Sequence, residues 1–176
     1  MQQDNVTKKV NILGDANVDM ILNLSDKQNL REPSLFSGGS SANVASGLSK
    51  LGMDVSFFGS LGKDIYGKHV VDEMKADGID ISNLEILDNY NTAMVIGVVE
   101  ESSERYFFLW PPVEGAHNQY TLNDKSRKDL LNCDWLHVSG ISLRFSPVKE
   151  TMLEAMRLCS EKNKIVSFDL NLRSEL

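Results

Sequence analysis

Short apolar, β-rich runs alternate along the chain with longer runs of helical periodicity, and this alternation restricts the fold more than any other feature. "VNILG" (10–14), "DVSFFGS" (54–60), "DWLHVSG" (134–140) and "KIVSFDL" (164–170) are compact apolar runs of the kind buried parallel strands show. Between them, 42–51 presents Val44, Leu48 and Leu51 at helical spacing, with Gly52 ready for the left-handed position past the helix end. Tyr66, Val70 and Met74 form the next stripe. Thr121 with Asp124 three residues on predicts a capping box for a helix to about Leu131. Ser146-Pro147 opens a helix carrying Val148, Met152, Leu153, Met156 and Cys159 as core positions. Strand, helix, strand, helix is the pattern of an α/β fold with a mainly parallel sheet. Two intervals, 22–37 and 92–110, do not fit it. Both read as strands joined by polar turns, expected to pair with each other as a small antiparallel sheet beside the main one. No linker separates the two parts, so they interleave in sequence.

Composition narrows the function classes. With 176 residues and 41% hydrophobic content the chain can bury a real core. A net charge of −7 argues against nucleic acid as a partner, because phosphate binding needs a basic footprint. No apolar stretch reaches the ~18 residues of a membrane span, and "MQQDNVTKKV" lacks the apolar segment of a signal peptide. Cys133 and Cys159 have neither zinc nor CxxC spacing, so they are expected as buried free thiols of a cytoplasmic protein. His69, His117 and His137 are scattered and read as core or surface residues.

In open α/β sheets, ligands bind beyond the carboxyl ends of the strands. There the polar residues collect. Asp15, Asn17 and Asp19 follow the first strand at period two, and Asp169, Asn171 and Arg173 follow the last. Ser139-Gly140 and Gly59, Ser60 and Gly62 follow two others. Carboxylates accept from hydroxyls, while amides both donate and accept, so this set suits a ligand rich in hydroxyls. Each residue singly is equally a turn or helix-cap residue. The stretch "GGSSANVASG" (38–47) puts two glycines before a helix start whose free N–H groups favour an oxygen ligand. It contains no GxGxxG, and the chain has no GxxxxGK[ST] loop.

"GGSSANVASGLSKLGMDVSFFGSLG" resembles the first signature of the pfkB (ribokinase-like) carbohydrate kinases in Gly38, Gly39, Asn43, Ala45, Gly52 and Gly62. "ILGDANVDMIL" resembles the family's opening strand, and "LHVSGISL" and "VSFDLNLRSEL" resemble segments of its sugar-acid and fructose kinases. Ser41 stands where the family usually has Pro, Gly or Ala. The resemblance implies an α/β three-layer sandwich with a small β-sheet lid built from about 22–37 and 92–110. It implies that Asn17, Asp19 and Asn43 bind sugar hydroxyls and that Gly38 and Gly39 let the backbone approach the sugar. Phe107 would cover the sugar from the lid, and Asn171 and Arg173 would lie near the transferred phosphoryl group or an acidic substrate group. It also implies a homodimer formed through the lid edge.

The implied reaction is transfer of the ATP γ-phosphoryl group to a hydroxyl of a sugar or sugar acid, with Mg²⁺. The family's later Gly-Ala-Gly-Asp run, which holds the catalytic Asp, and its N-x-x-E segment linked to Mg²⁺ have no counterpart here. Residues 1–176 are therefore expected to be the N-terminal part of a kinase domain, inactive alone, with no catalytic residue, no metal ligand and no tightly bound ATP. The alternatives are a non-catalytic sugar-binding or interaction module and a nucleoside kinase of the same family. "SFDLNLR" leans toward sugar-acid kinases, whereas "FLWPP" replaces the Tyr-Arg pair usual in their lid, which leaves a neutral ketose equally open.

Overall fold

A computed structural model describes residues 8–28, 30–102, 104–111 and 113–172. Five strands form a wholly parallel sheet in the order β5-β4-β1-β8-β9. These are β1 (Lys9–Leu13), β4 (Asp54–Gly62), β5 (Asp80–Leu87), β8 (Trp135–Ser139) and β9 (Ile165–Asp169). Period two sorts their side chains. Val10, Ile12, Val55 and Phe57 pack on one face against α1 (Ser40–Lys50) and α2 (Ile65–Ala76), through Ala42, Ala45, Val70 and Met74. On the opposite face, Leu13, Phe58, Leu136 and Val138 pack against α3 (Asp124–Leu131) and α4 (Val148–Glu161). Helices on both faces of a parallel sheet make the three-layer sandwich expected.

A second sheet, in the order β3-β2-β6-β7, is built from β2 (Asn17–Asn23), β3 (Ser34–Gly38), β6 (Met94–Val99) and β7 (Arg105–Trp110). It departs from expectation in two ways. The central pair β2 and β6 is parallel, so the sheet is mixed rather than antiparallel. Strand β2 also begins at Asn17, not near 22, which puts Asn17 and Asp19 on the lid sheet itself. The polar alternation N-x-D masked a strand whose polar face looks into a cleft.

Two further corrections concern local signals. The α3 capping box is Asn123 with Ser126, not Thr121 with Asp124. The Asn123 side chain accepts from Ser126 N at 2.9 Å, and Ser126 Oγ accepts from Asn123 N at 2.8 Å. Edge strand β5 was not anticipated, because its one-sided burial and the polar Ser82, Asn83 and Glu85 hide it. Gly52 does take a left-handed conformation (φ 85°) just past α1. Cys133 and Cys159 are buried and unbridged. Among the described residues no helix is long and apolar enough to cross a membrane.

Candidate active-site cleft

The first strand ends at Leu13, and the chain then delivers Asp15 to the N-terminus of α1. This carboxylate is almost fully buried and accepts four hydrogen bonds. Ser40 N donates to Oδ2 at 2.7 Å and Ser41 N to Oδ1 at 3.1 Å, while the Ser40 and Ser41 hydroxyls both donate to Oδ1 at 2.8 Å. The helix N-terminus is thus capped from within the chain, which corrects the expectation of free N–H groups there. The same geometry explains Ser41. Its hydroxyl, wholly buried, supplies one of those four bonds, which no Pro, Gly or Ala could.

Gly38 and Gly39 follow from crowding in this corner. Gly39 precedes the helix at φ 103°, a conformation that favours glycine, and a Cβ there would lie 2.7 Å from the Asp15 carbonyl oxygen. A Cβ at Gly38 would lie 2.5 Å from the Asp19 carboxyl group. Both glycines let the loop close on Asp15 and Asp19, which hold the site's shape.

The two sheets and α1 enclose a cleft of about 210 Å³. Asp15, Gly39, Ser40 and Asn43 of the α1 N-terminal region line it. Asn17 and Asp19 project from β2, where Asn17 Nδ2 donates to Asp19 Oδ1 at 2.7 Å. Burial, opposed by that bond and reinforced by the Asp15 charge, raises the Asp19 carboxyl above the usual carboxylate range. Val95 and Phe107 line the lid side. Phe107 pairs across the sheet with Gly97, whose missing side chain leaves room for the ring. Ile141 and Asn171 line the α/β side. Asn171 Nδ2 donates to Ser139 Oγ at 3.0 Å, and Ser139 Oγ lies 2.8 Å from Ser40 Oγ. A polar chain therefore links the end of β9 to Asp15.

Seven of the residues singled out from sequence, Asp15, Asn17, Asp19, Gly39, Asn43, Phe107 and Asn171, line this one cleft. Gly38 is buried against Asp19, and Arg173 lies outside the described residues. Sequence reasoning missed Val95 and Ile141, apolar residues indistinguishable from core, and undervalued Asp15 and His117. The His117 ring lies over Gly115, and burial lowers its pKa against the opposing pull of Asp15.

The family profile described as "pfkB family carbohydrate kinase" matches residues 7–176. The chain belongs to that family. A fructokinase of Salmonella typhimurium is 31% identical over 169 residues, which cover 96% of this chain and 52% of the relative. A 5-dehydro-2-deoxygluconokinase of Clostridium botulinum is 31% identical over 156 residues, or 89% of this chain and 45% of the relative. The solved structure of a Xylella fastidiosa fructokinase with bound ATP superposes with a TM-score of 0.84 at 27% identity, over 96% of this chain and 53% of that one. The chain spans about half the length of the curated relatives it matches.

Proposed function

We propose that this chain supplies the sugar-binding half of an ATP-dependent kinase acting on a sugar or sugar acid, and that it does not transfer phosphate by itself. The carrying observation is the convergence of Asn17, Asp19, Asn43 and Asn171 on one cleft at the carboxyl ends of β1, β8 and β9, under Phe107. Asp19 accepts from sugar hydroxyls, and the three amides donate and accept. Phe107 covers an apolar face of the ring and excludes water. Fructokinase and 5-dehydro-2-deoxygluconokinase relatives support the substrate class.

In this reading Mg²⁺ and the ATP phosphates are held mainly outside the described residues. No group of three His, Cys, Asp or Glu side chains among them could hold a metal ion. The first two amides of α1, the ones placed to cradle a phosphate, are taken by the Asp15 carboxylate. The sequence also has no Gly-Ala-Gly-Asp run. In this reading ATP, Mg²⁺ and the base that accepts the hydroxyl proton belong to further sequence of a full-length enzyme. Calorimetric titration of the chain with D-fructose and with sugar acids tests the proposal. Saturable binding of at least one, weakened tenfold or more by Asp19→Ala, is expected, and phosphorylation of any of them by the pure chain with MgATP contradicts it.

A homodimer through the lid is part of the same reading. It is supported by the lid's outer face, where Leu35, Tyr106, Phe108 and Trp110 stand exposed. Light scattering should give twice the monomer mass, reduced to one by Phe108→Glu; a monomeric wild-type chain contradicts it.

A further inference from the structure

A second cavity of about 40 Å³ adjoins the cleft, sharing Asp15, Asn17, Val95 and Ile141 with it. His117, Asn118, Ser142 and Arg144 complete its polar lining. We infer that this side pocket receives the carboxylate of a sugar acid, bound by Arg144 and Ser142, so that the chain selects acidic over neutral sugars. The inference rests on reading the main cleft as a sugar site.

The donors in the pocket lack matching acceptors. Ser142 is 2% exposed and its hydroxyl has no hydrogen-bond partner, a state that costs free energy until a ligand or water fills it. His117 Nδ1 is likewise buried and unpartnered. Arg144, on the solvent side, stacks over the Phe145 ring at 5.4 Å and forms no salt bridge among the described residues. The Asp15 carboxylate, the one acid in the pocket lining, already holds four donors at the N-terminus of α1.

A hydroxyl from Ser142 and a guanidinium from Arg144 together suit an acceptor-only group with negative charge, which a carboxylate is. A hydroxymethyl group would satisfy Ser142 and leave the guanidinium charge unused. The volume exceeds the ~10–15 Å³ that one water needs, which leaves room for a carboxylate.

The test compares 5-keto-D-gluconate with L-sorbose, the same ketose with a hydroxymethyl group in place of the carboxylate, and with D-fructose. Calorimetry on the chain should show the keto acid binding about tenfold or more tighter than L-sorbose. Arg144→Gln should remove that preference by weakening the keto acid far more than L-sorbose. Arg144 is exposed, so this variant retains the wild-type circular dichroism. Ser142→Ala should weaken the keto acid several-fold only. Equal binding of acid and ketose, or an acid preference that survives Arg144→Gln, overturns the inference alone. Binding of none of the three overturns the sugar reading of the cleft and the inference with it.

Discussion

Asp15 is the residue on which the site's geometry depends. Removing its carboxylate strands two helix N–H groups and the Ser41 hydroxyl, all at the α1 N-terminus, while the Ser40 hydroxyl keeps Ser139. Asp15→Ala is expected to cost about 2–3 kcal/mol in urea unfolding, and Ser41→Ala about 1 kcal/mol. Asp19 carries the opposite sign. Its folded pKa is raised by burial, so between the ordinary and the raised value the native state binds more protons than the unfolded chain. Stability from this group therefore grows as pH falls through that window, and the charged form is a cost at neutral pH. Asp19→Asn should stabilise the chain at pH 7, with the gain shrinking as pH drops into the window, while sugar affinity falls. Urea midpoints at pH 7 and pH 4 check the sign. Only part of this was legible in sequence. The period-two spacing of Asp15, Asn17 and Asp19 marked a polar face, but nothing local showed that Asp15 turns inward to cap α1 while Asp19 turns toward the cleft. That division depends on contacts with Ser40 and Ser41, more than twenty positions away.

At the scale of elements, periodicity identified β1, β4, β8, β9 and the helices α1, α2 and α4, because each buries a face whose apolar spacing is written locally, while α3, which buries only Ser126 and Leu130, was placed from a capping signal. It failed where pairing decides. β5 packs mainly on one side, and β2 pairs parallel to β6 across more than seventy residues. Neither leaves a mark in a short window. The capping error at α3 has a similar origin. Asn123 and Thr121 are both competent caps, and the chain's path selects Asn123. Asn123→Ala should cost about 1 kcal/mol, whereas Thr121→Ala should leave the urea midpoint nearly unchanged. Gly38→Ala should displace the Asp19 carboxyl from β2, because the added Cβ would sit 2.5 Å from it. Sugar affinity should then fall at least tenfold with the helical circular dichroism retained.

Taken whole, the molecule is a parallel sheet with helices on both faces and a mixed sheet facing its carboxyl edge, and the candidate site lies between the two sheets. The family resemblance was legible because the glycine and asparagine positions of the α1 entrance sit within one continuous stretch. Of the lid's two contributions, Phe107 was legible through that resemblance and Val95 was not, since an apolar strand residue reaches the cleft only through sheet pairing. The proposal assigns this chain the sugar's side of the reaction. Titrating the isotopically labelled chain with sugar and following its side-chain amide resonances by NMR tests that most directly. Saturable shifts of the Asn17, Asn43 and Asn171 side-chain amides, with distant Asn11 and Asn83 unmoved, are predicted. Shifts that map away from the cleft, or none at millimolar sugar from any of the panel, would contradict it.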